Sequence, residues 1–145
     1  MRAITLTQPW ATLVAIGAKK IETRSWSTSY RGPLAIHAAK GFPKPARNLC
    51  YASPFRDYLR DIITPIGAVI ATCELVAVMR VENLTATHPN AWVGPSGRHY
   101  SFELDLDEQA FGDYTHGRYA WLLADVKQIE PVPAKGALSL WEWNP

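Results

Sequence analysis

Between Gly67 and Val81 the chain runs through its most apolar stretch, which is long and rich in β-branched residues. Such side chains fit a pleated surface and lose rotamer freedom in a helix. The run therefore reads as a central strand, with Met79-Arg80 marking where it emerges toward solvent. A central strand needs hydrogen-bonding neighbours on both edges, so the rest of the chain must supply a sheet. One carboxylate, Glu74, lies inside the run. Burying it ionised and alone would be very costly, so it needs a partner or an opening to water.

Gly17–Trp26 (GAKKIETRSW) holds the densest chemistry. Gly17 closes a helical pattern in which Trp10, Leu13 and Val14 recur at helical spacing, as a residue free to take positive φ would. From Ile21 the pattern changes to strand-like alternation. On a strand, Glu22, Arg24 and Trp26 face one way, and Ile21, Thr23 and Ser25 the other. A carboxylate, a guanidinium and an indole thus share one surface, with Lys19 just before them. That set suits a planar, hydrogen-bonding ligand such as a nucleobase, or acid-base chemistry.

The same spacing elsewhere sets out the other elements. Ala3–Thr7 reads as a short strand, and Pro9–Ile16 as a short helix with Pro9 at its first position. Residues 27–33 form a loop and Leu34–Ala39 a second strand. Gly41–Pro54 carries Pro43, Pro45 and Pro54 and cannot be a regular strand. Phe55–Ile63 shows a helical apolar face. Glu82–Gly117 is the least regular third, with His88-Pro89-Asn90, a Gly-Pro-Ser-Gly turn and Leu104–Ala110, which fits a turn of helix or a frayed strand. Tyr119–Val126 is a strand stopped by Pro131 and Pro133, and Leu138–Trp143 is the closing one. Several short strands with two or three helices predict a small closed or nearly closed barrel of mixed α+β class.

A length of 145 residues suits one domain, 1–145, large enough for a real core. Hydrophobic residues make up 48%, which excludes a disordered chain. A net charge of +2 is too small to announce a nucleic-acid binder, although Lys19, Lys20, Arg24, Arg31, Lys40, Lys44 and Arg47 concentrate positive charge in the first third. Cys50 and Cys73 have no zinc-like spacing, and neither do His37, His88, His99 and His116. No metal or other cofactor is therefore expected. The strand-like start and the lack of a long apolar span point to a cytoplasmic, reduced protein off the membrane.

Gly17, Lys19, Glu22 and Arg24 match the pattern G-x-K-x-x-E-x-R, and with them the chain resembles the ASCH family of the PUA-like superfamily. Gln8-Pro9-Trp10, the run Gly32–Lys40, Arg118–Leu123 and Leu140-Trp141-Glu142 extend the likeness in the same order and look like its EOLA-like branch. The resemblance implies a PUA-like β-barrel, with helices near its openings and a cleft beside the signature. Some ASCH relatives are small amidohydrolases that remove the acyl group from cytidine acylated on its exocyclic amine. Their catalytic lysine carries over to Lys19. A threonine stands in them where this chain has Glu22, so a threonine-nucleophile scheme does not transfer.

Each candidate has a plain reading beside the functional one. Lys19, Glu22 and Arg24 form either a surface ion cluster or an acid/base and oxyanion-stabilising set. Glu74 is either salt-bridged, to Arg80 or Arg24, or simply exposed at the barrel mouth, or it is a second acid/base group facing the cleft. Trp10 and Trp26 either pack or stack a base. Trp121 and Trp141, on strands, belong to the core. His37 is either a satisfied structural group or, as the resemblance implies, near the cleft with Lys40. The loop 111–117, with Gly112 and Gly117 as hinges, is an ordinary surface loop or a lid. The expected activity is deacylation of N(4)-acylcytidine, with Lys19, Glu22 and Glu74 catalytic and Trp10, Arg24, Trp26, His37 and Lys40 binding substrate. The alternative is an RNA-binding module that reads a base of single-stranded RNA in the same cleft; ribonuclease action is a weaker third idea. The oligomeric state stays open.

Overall fold

The computed structural model describes residues 1–82, 91–101 and 104–145. It is a mixed α+β, sheet-dominated fold with four short helices among the described residues. Two compact units emerge, one of Met1–Lys19, Pro33–Glu74 and Ala124–Pro145, the other of Lys20–Gly32 and Leu75–Leu123.

In the first unit, β1 (Arg2–Leu6) pairs in parallel with β3 (Gly32–Ala38), Arg2 opposite Leu34 and Leu6 opposite Ala38. On its other edge β1 meets the two-residue β8 (Trp141–Glu142) antiparallel. Beyond β3 come the first half of β4 (Ala68–Glu82) and then the second half of β7 (Tyr119–Pro133). Ala3, Ala35, Val69 and Trp143 form a buried cluster, against which Ile129, Val132, Ala134 and Trp141 pack.

Helix α1 (Trp10–Ala15) starts one residue after Pro9 and is secured by the fully buried Gln8. The Gln8 Oε1 accepts the Thr12 N–H at 2.9 Å, which satisfies one of the donors a helix start leaves orphaned. Its amide nitrogen donates to Thr12 Oγ1 and to the Pro65 carbonyl, each at 2.7 Å. Helix α2 (Lys44–Leu49) forms inside the proline-rich segment, because Pro45 sits in its first turn, where a missing N–H costs nothing. Helix α3 (Phe55–Leu59) follows Pro54 and is shorter than its apolar face predicts.

In the second unit, β2 (Ile21–Arg24) pairs antiparallel with the start of β7, Ile21 opposite Leu122 and Arg24 opposite Tyr119. The end of β4 pairs with β5 (Ala91–Val93), and β5 with β6 (His99–Ser101). The hairpin turn between β5 and β6 is closed by Gly97, at φ +82°, donating to the Gly94 carbonyl at 2.9 Å. Helix α4 (Leu106–Phe111) is capped by Asp105, whose side chain accepts the Glu108 N–H at 2.8 Å. Val81, Trp92 and Ala120 make the buried cluster of this unit.

Two strand bounds need correction. β7 runs through Pro131 to Pro133 rather than stopping before them. Its partner β2 covers only Tyr119–Leu122. Past that point β7 has a free edge among the described residues, and prolines are tolerated on an edge. β8 covers Trp141–Glu142, not all of Leu138–Trp143. The irregular third contains the β5–β6 hairpin and α4, while His88-Pro89-Asn90 lies outside the described residues. Within each unit the strand path is open among the described residues, not a closed ladder.

Candidate functional site

The first unit carries Lys19, Trp10, Glu74, His37 and Lys40. Gly17 takes φ +81° and turns the chain out of α1, so that the Lys19 N–H reaches the Leu13 carbonyl at 2.9 Å. That turn puts Lys19 inward with 0% of its surface exposed, while Lys20 is exposed. Trp10, half-buried, stands edge-on to Phe55 with ring centroids 6.4 Å apart. Glu74 is half-buried on β4 between the buried Cys73 and Leu75. Burial, and then the Glu74 charge, push the Cys73 thiol up to about 12. Both cysteines are free.

His37 is buried near the end of β3, with its Nδ1 3.1 Å from Thr5 Oγ1 and its Nε2 2.7 Å from the Ala134 carbonyl. It lines a cavity of about 1020 Å³ together with Lys40. Trp10, Lys19 and Glu74 are not among the described residues lining that cavity.

The second unit carries Glu22, Arg24 and Trp26. Glu22 and Arg24 are half-buried on β2, and Thr23 between them is buried. The Glu22 Oε1 accepts the Thr23 N–H at 3.0 Å. Burial lowers the Arg24 guanidinium from its ordinary value; Glu22 opposes that shift and Arg118 adds to it. Trp26 lies just past the end of β2, against Trp121. The nearby cavity of about 560 Å³ is lined in part by Ser27, Thr28, Ser29, Arg31, Arg80 and Tyr119. Arg31 is held in place there by two Nη1 bonds of 2.8 Å, to the Thr28 and Tyr30 carbonyls. Arg80 bonds Glu82.

The loop 111–117 is tied down at several points. The Asp113 N–H bonds Thr23 Oγ1 at 3.0 Å, Gly117 donates to the Val81 carbonyl at 2.9 Å, and Thr115 donates twice to Asp113. Arg118, next along, reaches the Thr23 carbonyl at 3.3 Å. These bonds fit an ordinary surface loop better than a lid.

Sequence reasoning passed over two residues in this unit. Glu108 is buried at 7% exposure, and its Oε1 accepts the Lys20 N–H at 2.7 Å, which ties α4 to the start of β2. The Tyr114 phenol is pushed above its ordinary range by burial and then by Glu108, Glu22 and Asp105, so it stays neutral beside carboxylates. Its hydroxyl is buried with no hydrogen-bond partner among the described residues. The only signal for Glu108 was its place three residues after Asp105, the spacing of a helix cap and its first turn. For Tyr114 there was none. No group of His, Cys, Asp or Glu among the described residues could hold a metal ion. No helix among them is long and apolar enough to cross a membrane.

Comparisons with known proteins agree with this fold. The crystal structure of ASCH from Zymomonas mobilis superposes with a TM-score of 0.55 at 17% identity, covering 99% of this chain and 87% of that one. A point mutant of the same protein gives 0.54 at 17% identity, covering 99% and 89%. At that identity the likeness speaks for the fold. Activating signal cointegrator 1 from Homo sapiens is 50% identical over 38 residues, or 26% of this chain and 6% of that protein. The Mus musculus protein of the same name is 45% identical over 42 residues, 29% of this chain and 7% of that one. This chain therefore spans only a small part of the length of those two relatives. The ASCH domain profile matches residues 4–133, nearly the whole chain, and the protein belongs to the ASCH domain family.

Proposed function

We propose that the protein hydrolyses an amide on a modified pyrimidine nucleoside or nucleobase, with N(4)-acylcytidine as the favoured substrate. The observation that carries this reading is the complete burial of Lys19 in the signature. Removing an ammonium from water costs several kcal/mol, on the order of the penalties for other buried ions. A fold keeps such a group only where a partner or a function compensates that cost.

In this reading Glu22 takes a proton from water as the water oxygen attacks the acyl carbon. Lys19, assigned by its place three residues before Glu22 in the signature, stabilises the oxyanion that forms or hands a proton to the departing exocyclic nitrogen. The carbon–nitrogen bond breaks, and the products are cytidine and a carboxylate. Arg24 and Trp26 supply a bidentate donor and an aromatic edge for the base. Glu74 is proposed as a further acid/base group and Trp10 as a second aromatic contact.

The test follows the ultraviolet spectrum of the protein with acylated cytidine over time, beside Lys19→Ala. Conversion to cytidine that disappears in the variant supports the reading. No conversion across several acyl groups overturns it.

A second reading, an RNA-binding module, is favoured by one side of the cavity of the second unit. Three successive hydroxyl residues, Ser27, Thr28 and Ser29, line it with Arg31 and Arg80, a lining suited to phosphates. That function would show as binding to short single-stranded RNA that weakens steeply with salt. Nucleoside turnover would respond little to salt. Cleavage of the RNA, rather than binding alone, would mark the ribonuclease variant of this reading.

A further inference from the structure

The cavity of about 1020 Å³ in the first unit has a coherent chemistry of its own. Its size is at the upper end of small-molecule pockets, which run from roughly 300 to 1,000 Å³. Its wall is mostly apolar, with Ile66, Pro133, Ala137 and Leu138 presenting carbon. Ile66 and Leu138 are exposed, at 48% and 93%, and add to the apolar surface that this cavity opens to solvent. The charged residues in the lining are Lys40 and Lys135, and no carboxylate joins them among the described residues.

The polar floor is already satisfied. A carbonyl only accepts, so the His37 Nε2 bonded to Ala134 carries its hydrogen. The other ring nitrogen meets the Thr5 hydroxyl, which itself accepts the Trp141 indole N–H at 3.1 Å. Gly136 seals this floor: a Cβ there would lie 2.6 Å from His37 Cε1 and from Thr5 Oγ1. With its hydrogen bonds made within the protein and only 2% of its surface exposed, the imidazole belongs to the floor and offers a ligand no open donor.

We infer that this cavity binds a small organic anion with an apolar body, an aryl or alkyl carboxylate, its head at Lys40 and Lys135. The carbon skeleton lies against Ile66, Pro133, Ala137 and Leu138. The site uses neither Lys19 nor Glu22, and it assigns His37 and Lys40, expected from the sequence to bind the nucleoside, to a separate ligand, so its test is independent of the amide hydrolysis proposed above.

Two probes with one body and opposite heads test it on the full chain: 4-phenylbutyrate and 4-phenylbutylamine. Calorimetry gives affinity and stoichiometry, and the Trp141 indole N–H and the Ala134–Leu138 amides report location by NMR. The expected result is one-to-one binding of the carboxylate with shifts at those signals, and amine binding weaker by about tenfold or more. Reversing both exposed lysines, Lys40→Glu with Lys135→Glu, is expected to cut carboxylate affinity by roughly tenfold while leaving the thermal midpoint in place. Equal binding of the two probes, shifts confined to other residues, no saturable binding, or full affinity in the reversed variant would each overturn the inference.

Discussion

Trp26 stands edge-on to Trp121, with ring centroids 4.8 Å apart and 84° between the planes, and its carbonyl accepts the Trp121 indole N–H at 3.4 Å. Trp121 is itself paired with Glu22 across the β2–β7 ladder. The Trp121 indole therefore braces Trp26, just past the signature strand, from the position opposite its carboxylate. Edge-to-face pairs add about 0.5–1.5 kcal/mol beyond the area they bury. Trp26→Leu is expected to lower unfolding free energy by at least that amount in a urea titration. An unchanged midpoint would mean the pair adds nothing.

Glu22→Gln keeps shape and hydrogen-bonding reach but removes the base. If Glu22 activates water, the variant should bind acylated cytidine about as well as the parent and turn it over roughly 10²–10⁴-fold more slowly. A fall in affinity with kcat intact would instead mark Glu22 as a binding group.

Tyr114→Phe removes a buried hydroxyl that has no partner among the described residues and sits near carboxylates. Leaving such a group unsatisfied costs about 1–3 kcal/mol, so its deletion should be neutral or stabilising in chemical denaturation. A loss of more than about 1 kcal/mol would show that the hydroxyl has a use in the fold.

Cys73 gives a pH signature. Its thiol titrates at about 12 in the fold, against the ordinary 9.0. A folded value above the unfolded one means a contribution that is complete below about pH 9 and is lost as pH rises toward 12. Stability of the parent should therefore fall more steeply across that window than that of Cys73→Ala. The same burial should keep Cys73 from alkylation at pH 8 until the protein is denatured. Equal alkaline slopes in parent and variant would contradict the assignment.

Much of the fold could be read from periodicity. Trp10, Leu13, Val14 and Gly17 marked α1 and its stop, and the apolar run after Gly67 marked β4 within one residue at each end. Those signals are local, and local spacing settles them. The length of β7 was not legible, because it depends on how short β2 is, a fact of the partner strand rather than of Pro131. Trp92 is fully buried in the second unit, yet its three-residue strand is too short to show alternation. In the candidate site, spacing put Glu22 and Arg24 on one strand, and there they are. It extended that strand to Trp26, which lies beyond its end and is fixed by Trp121 instead. Tyr114 is placed by tertiary packing near Trp92, 6.2 Å between ring centroids, and no spacing rule reaches across that separation.

The two units interleave along the chain: the backbone passes from one to the other after Lys19, Gly32, Glu74 and Leu123. Neither can be cut out as one continuous fragment. A truncation after Gly32 or Glu74 divides both units, and one after Lys19 or Leu123 removes a terminal piece of the first unit, with β4 severed by the cut after Glu74 and β7 by the cut after Leu123. Domain-dissection experiments on this protein should therefore fail as a class, and engineers who want to separate the two sets of residues will need point substitutions rather than scissors.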